Sequence, residues 1–340
     1  MSVSPVHIGV ISAGAWGTSL AVIANRAGSR VTLYSSNANV RDSILSKRTN
    51  DTYLPGIFID PNIAVTGDPA EICSADMVVL AIPSQHMRST CIWLSDQIEE
   101  SLPIIVATKG IERGSLALMS EVVSAILPKN PVAILSGPNF AQEAAKGLPT
   151  ATTIACQDEA LASQIIYGIG GKHFRPYHTD DVMGTQIGGA IKNVIAIACG
   201  IAMGRGFGEN ARAAIITRGL AEMTRLCLFK GGRQETLMGL SGIGDLMLTC
   251  CSETSRNMAL GLELGRMQRP VKTILESRQK RLAEGVATSD SVTELARKIG
   301  ISMPICSAVR EILYEETEIN DVIQILLERP FVMEALPTAF

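Results

Sequence analysis

Lys192 is the residue with most to offer chemically. It lies in Gly188-Gly-Ala-Ile-Lys192-Asn193-Val-Ile-Ala-Ile-Ala-Cys-Gly200, a stretch apolar on nearly every helical face, so its side chain is expected to be buried. Lysine is rarely fully buried unless paired. Desolvation lowers the ammonium pKa and makes the group usable for proton transfer near neutral pH. The competing reading is a lysine that snorkels to solvent or meets a carboxylate for structure alone. The four histidines, His7, His86, His173 and His178, form no site-like constellation.

A second group is Ser12-Ala-Gly14-Ala15-Trp16-Gly17-Thr18. It matches the dinucleotide pattern G-x-G-x-x-G with Ser12 in the first glycine position. Gly14 would let backbone approach a pyrophosphate, Gly17 would let a helix pack on its strand, and the helix N-terminus would offer free N–H groups to the phosphates. An ordinary strand–turn–helix corner would read similarly. Cofactor choice is not written here. The second strand ends in Tyr34-Ser35-Ser36-Asn37, with neither the carboxylate that favours NAD nor the arginine that favours NADP.

Positioning these groups requires a strand–helix alternation. Strands are expected at Val6–Ile11, Arg30–Tyr34, Ile63–Thr66, Met77–Ile82, Ile104–Ala107, Val132–Ser136 and Ala151–Ala155. Several are continuously apolar, as parallel strands covered on both faces are. Helices are expected at Met183–Met203, Asn210–Leu228, Gly244–Cys250, Ser255–Met267, Val271–Lys280, Val292–Lys298 and Asn320–Leu327. The fold class is therefore α/β: an N-terminal Rossmann-like, doubly wound parallel sheet over residues 1–186, followed by an all-helical domain over 187–340. Arg218 and Glu222 are spaced for a partly buried helical ion pair.

Composition excludes several classes. The chain has 340 residues, 46% hydrophobic and 19% charged, with a net charge of −3, which suits two packed domains and no polyanion-binding surface. Nucleic acid is not an expected partner. Met183–Met203 is apolar enough to suggest a membrane span, but Lys192 near its middle favours a buried core helix, and no integral membrane segment is expected. The eight scattered cysteines form neither a disulfide framework nor a zinc pattern, so no metal and a reducing, cytoplasmic setting are expected.

Gly189–Gly200 resembles the signature of the bacterial-type NAD(P)-dependent glycerol-3-phosphate dehydrogenases. The resemblance runs on in order through Gly14-Ala-Trp-Gly17, Ala107-Thr-Lys109-Gly110, Ser136-Gly137-Pro138-Asn139-Phe140-Ala141, Gly244-Asp245-Leu-Met-Leu-Thr249-Cys250, Ser255-Arg256-Asn257 and Ala283-Glu284-Gly285. It implies interconversion of dihydroxyacetone phosphate and sn-glycerol 3-phosphate with NAD or NADP as cofactor, for phospholipid synthesis, by a homodimer. It implies that Lys192 handles the proton, Lys109 helps polarise the substrate oxygen, and Asp245 and Thr249 orient Lys192 and the substrate hydroxyl. Substrate contacts would come from Lys109, Gly137, Asn139, Lys192, Asp245, Ser255, Arg256 and Asn257. Cofactor contacts would come from Gly14, Ala15, Trp16, Gly17, Ser36, Lys109, Ala141, Arg256, Leu282 and a loop carrying Glu284. Taken alone, Ser-Arg-Asn reads as a helix start with a surface arginine. Several members carry Ser or Thr at the Asn139 position and a basic residue near Ser36. Two other readings stay open on the residues themselves, a keto-acid reductase anchoring its carboxylate on Arg256 and a cofactor-binding redox sensor without catalysis.

Overall fold

The apolar segments of the first half become one eight-stranded sheet in the computed structural model, which describes residues 5–266, 270–278 and 283–328. The described strands are β1 (His7–Ile11), β2 (Arg30–Tyr34), β3 (Thr49–Asn50), β4 (Leu54–Phe58), β5 (Ile63–Thr66), β6 (Met77–Leu80), β7 (Ile104–Val106), β8 (Val132–Ser136), β9 (Thr150–Ala155) and β10 (Phe174–Thr179), of which β3 and β4 lie outside that sheet. The sheet order is β10-β9-β8-β7-β6-β1-β2-β5. Every residue of β1, β6 and β7 is buried, which is why those strands read as unbroken apolar runs. The chain leaves β1 toward β2 on one side and later returns to β6 on the other. This reversal puts a topological switch point at the carboxyl end of β1, where open α/β sheets bind their ligands.

The parallel, doubly wound sheet forms as expected, with one antiparallel pair in it. β9 runs antiparallel to β8 and carries β10 parallel beside it. Neither β10 nor the separate β3–β4 hairpin was expected. β10 has the mixed sequence FRPYHT and a largely unburied pattern, as an edge strand facing solvent does.

The described chain divides into two compact units. Residues up to Thr108 together with Met119–Val182 form the first, and Lys109–Leu118 joins the residues from Met183 onward in the second. The excursion Lys109–Leu118 therefore packs with the helices, although the sequence placed it within residues 1–186. The first unit holds helices α1 (Ala15–Arg26) and α2 (Ala38–Lys47). The second holds α3 (Val182–Gly204), α4 (Gly208–Phe229), α5 (Asp245–Cys250), α6 (Arg256–Arg266), α7 (Val271–Ser277), α8 (Glu284–Ile299), α9 (Pro304–Tyr314) and α10 (Ile319–Leu327). The expected ends of two helices, at Met267 and Lys280, lie outside the described residues.

α3 is long and apolar enough to cross a membrane by composition, and 83% of its most apolar window is buried in the protein. It crosses α6 with backbones in contact. A Cβ on Gly200 would lie 2.3 Å from the Met258 carbonyl oxygen, and one on Gly261 would lie 2.2 Å from that of Ile197. Only glycine permits that approach.

The expected Arg218–Glu222 pair does not form. Arg218 is exposed, while Glu222 is buried and accepts the amides of Ile305 at 2.7 Å and Cys306 at 3.2 Å. Burial pushes its carboxyl pKa up, and these two amides oppose the shift. Glu222 thus caps the N-terminus of α9, a helix the sequence reading had not proposed, where a carboxylate meets the positive end of the helix dipole.

Candidate active site

In the second unit the structure brings four of the expected residues together. Lys192, on the middle turns of α3, is 7% exposed, and Asp245, at the start of α5, is 0% exposed. The Lys192 ammonium donates to Asp245 Oδ1 and, at 2.9 Å, to the Thr249 hydroxyl. That hydroxyl donates in turn to the Asp245 carbonyl at 2.6 Å, so it can only accept from the lysine. Lys109 donates to the other carboxylate oxygen of Asp245 at 2.6 Å. One buried carboxylate therefore holds two ammonium groups. Burial pulls the Lys192 pKa down to about 8, with the Asp245 charge resisting and the Lys109 charge assisting.

Local sequence explains the placement. A π-helical turn, Leu240–Gly244, precedes α5 and delivers Asp245 to its first position. Such turns recur at functional sites because they re-aim side chains within a helix. Lys109 begins an excursion closed by the Ile111–Leu118 bridge and a Glu112 amide to Ala117 carbonyl bond of 2.9 Å. Arg113 ties that excursion to α8 and α9 through Asp290, at 3.4 Å, and the Tyr314 hydroxyl, which donates to the Val286 carbonyl at 3.0 Å.

Ser255, Arg256 and Asn257 form the start of α6. The Ser255 hydroxyl accepts the Met258 amide at 3.3 Å, which caps the helix. Arg256 is exposed and stands where a helix N-terminus attracts anions. Asn257 is engaged internally: its amide nitrogen donates to Asn193 at 2.9 Å and its oxygen accepts the Gly285 amide at 3.0 Å. This chain of bonds joins α3, α6 and α8 beside Lys192. Glu284 is the first residue of α8 rather than a loop residue. Leu282 lies outside the described residues.

In the first unit, Gly14, Ala15, Trp16 and Gly17 occupy the turn from β1 into α1. Gly14 is the N-cap and no side chain caps the helix. A Cβ on Gly17 would lie 1.9 Å from the Ser12 carbonyl oxygen, so the close helix–strand approach demands glycine. Ser12 holds φ 92°, the left-handed region that favours glycine, and its hydroxyl accepts the Gly14 amide at 3.3 Å. These features fit a dinucleotide pyrophosphate, whose charge the uncapped amides would meet. Sequence reasoning missed Asn50, which is fully buried. Its amide nitrogen donates to the Ala13 carbonyl at 2.8 Å and the Thr18 hydroxyl at 2.9 Å, pinning the turn from 32 to 37 residues away. No local signal in Arg48-Thr-Asn50 announces such a partner. Ser36 is exposed at the end of β2. Gly137 and Asn139 follow β8, with Ala141 opening the next helix. Asn139 also works internally, donating to the Ala151 carbonyl at 2.9 Å and accepting the Thr152 hydroxyl at 3.0 Å.

Comparison with known proteins now decides the family. Residues 7–162 match the model of the NAD-dependent glycerol-3-phosphate dehydrogenase N-terminus and residues 181–324 that of its C-terminus. The chain belongs to the NAD-dependent glycerol-3-phosphate dehydrogenase family. A family member from Parvibaculum lavamentivorans, glycerol-3-phosphate dehydrogenase [NAD(P)+], is 45% identical, covering 97% of this chain and 99% of its own. That from Rhodospirillum rubrum is 46% identical over 96% of this chain and 94% of its own. The crystal structure of the Coxiella burnetii enzyme superposes with a TM-score of 0.91 at 37% identity, covering 96% of this chain and 99% of that one. A ketopantoate reductase from Ralstonia eutropha shares the fold alone, at 16% identity and a TM-score of 0.59.

Proposed function

We propose that Lys192 is the proton donor and acceptor of a glycerol-3-phosphate dehydrogenase, and that Asp245, Thr249 and Lys109 hold it for that work. The chain is an NAD(P)-dependent oxidoreductase that interconverts dihydroxyacetone phosphate and sn-glycerol 3-phosphate, the activity that supplies its family's phospholipid precursor. The observation that carries the residue roles is the Lys192 clamp: a buried ammonium aimed by one carboxylate oxygen and one hydroxyl that can only accept.

When bound, the nicotinamide cofactor supplies or takes the hydride at the central carbon. As negative charge grows on the carbonyl oxygen, the two ammonium groups held by Asp245 stabilise it, and Lys192 transfers a proton to it. Lys109 polarises the same oxygen. A pKa of about 8 keeps Lys192 mainly protonated at neutral pH yet ready to part with its proton. In the oxidative direction neutral Lys192 accepts the hydroxyl proton. The substrate phosphate is assigned to Arg256, whose fork matches phosphate bidentately, and to the first amides of α6 beside Ser255. Gly137, Asn139 and Glu284 are assigned as supports of the substrate and cofactor loops. Gly14 to Gly17 hold the pyrophosphate, with Ser36 and Ala141 along the cofactor.

The working form is taken to be a cytoplasmic homodimer. The free state of all eight cysteines supports a reducing compartment, and the family resemblance supports the dimer. The test of the residue roles is oxidation of NADH and NADPH by dihydroxyacetone phosphate in wild type and Lys192→Ala. A fall in kcat of ~100- to 10,000-fold with cofactor binding retained is expected. Undiminished turnover would remove Lys192 from the chemistry.

A further inference from the structure

Open α/β sheets read the adenosine ribose at the carboxyl end of β2, where a carboxylate accepts from a 2′-hydroxyl and an arginine accommodates a 2′-phosphate. In this chain β2 ends at Tyr34 and runs into Ser35, Ser36 and Asn37, with no carboxylate among them. A cation reaches the same place from the following helix. Arg41, in the first turns of α2, donates from Nη1 to the Ser35 carbonyl oxygen at 2.6 Å. Its guanidinium lies against Gly67, the residue after β5: a Cβ there would meet Arg41 Cζ at 2.8 Å, and Nε and Nη1 at 3.0 Å. A hydrogen bond on one side and a bare glycine on another fix where the fork sits.

The acidic residues of this edge are engaged otherwise. Asp68 accepts the Ala70 amide at 2.9 Å, and Glu71 accepts the Thr66 hydroxyl at 2.9 Å. Among the described residues Arg41 makes no ion pair, and its only hydrogen bond is the one to Ser35. A half-buried guanidinium is thus held, without a counter-charge, at the Ser35 carbonyl, one residue before the exposed Ser36. Buried or half-buried charges are ordinarily paired.

We propose that Arg41, with Ser36, is the binding site for a 2′-phosphate and makes this chain prefer NADPH over NADH. The proposal rests on the reading of residues 12–18 as a dinucleotide turn. The arginine fork matches a phosphate bidentately, and because its position is already fixed little side-chain freedom is lost on binding. NADH offers a hydroxyl in place of the phosphate and gains none of that charge-assisted bonding.

The test is a binding titration followed by tryptophan fluorescence, Trp16 lying in the turn itself. Wild type, Arg41→Ala and Arg41→Lys are each titrated with NADPH, NADH and the half-molecule probe 2′,5′-ADP. Wild type is expected to bind NADPH at least ~10-fold more tightly than NADH. Arg41→Ala is expected to lose ~10- to 100-fold for NADPH and 2′,5′-ADP while NADH binding moves less than about twofold. Arg41→Lys should fall between, since a point charge replaces the fork. Equal weakening of NADPH and NADH in both variants would make Arg41 a strut for the loop and overturn the proposal, as would equal wild-type affinities. Absence of binding by any dinucleotide to wild type would overturn it together with the reading of residues 12–18. A thermal melt of each variant separates a local loss from unfolding.

Discussion

The two units present positive charge in opposite ways. The turn from β1 into α1 offers backbone amides and space, with glycine at the points of closest approach and no charged side chain in the Gly14–Gly17 turn. The cluster around Asp245 offers charge, two lysines drawn to one buried carboxylate. A backbone site is indifferent to most side chains and intolerant of an added Cβ. A charged cluster tolerates changes around it and fails when one member loses its charge. Holding a cofactor asks for the first kind of site, and moving a proton asks for the second.

The largest break in that contrast should come from Asp245→Asn. The carboxylate is what holds the Lys192 pKa up against burial and the Lys109 charge. Without it the pKa falls below about 8 and a larger share of Lys192 is neutral near pH 7. In wild type, ketone reduction should decline as pH rises through about 8, where the ammonium is lost, and alcohol oxidation should rise over the same range. In Asp245→Asn both limbs should move to lower pH, and reduction at pH 8 should lose ~100-fold or more in kcat. Limbs that stay in place would show that another group titrates.

A smaller break should follow from Gly17→Ala. The added methyl must displace the Ser12 carbonyl, which is backbone and cannot rotate away. Overpacking of this kind costs ~1–3 kcal/mol, and NADH and NADPH affinities should fall together by ~10- to 100-fold in titration calorimetry. Retained affinity would mean that the turn is not the pyrophosphate site.

The smallest effect sharpens the contrast. Ser12→Gly removes a side chain from φ 92° and releases the Gly14 amide from the Ser12 hydroxyl. A stability gain of ~1 kcal/mol in urea unfolding is expected from relieved strain, with somewhat tighter binding of both cofactors alike. A loss of stability would show that the hydroxyl contact outweighs the strained backbone.

The sequence was legible wherever a neighbour in the chain carries the information. Ser12–Thr18 declared a strand–turn–helix, and the apolar surroundings of Lys192 declared a buried lysine. It was silent where the partner is distant. Asn50 reaches back 37 residues to Ala13, and Glu222 finds its amides 83 and 84 residues on, at Ile305 and Cys306, rather than at Arg218 four residues away. β10 escaped notice because an edge strand, half exposed, does not alternate cleanly. Asn257 has partners that no neighbour in the chain announces: its side chain joins Asn193 to Gly285.

That join, together with the glycine crossing of α3 and α6, turns two helices into a ruler. With Gly200 and Gly261 backbone already in contact, the helices have nothing left to compress. The interval from the Lys192 ammonium to the first turn of α6 is graduated in peptide bonds rather than in side chains. On the roles proposed for Lys192 and Arg256, this fixed main-chain spacing would set the length of substrate the two can hold together.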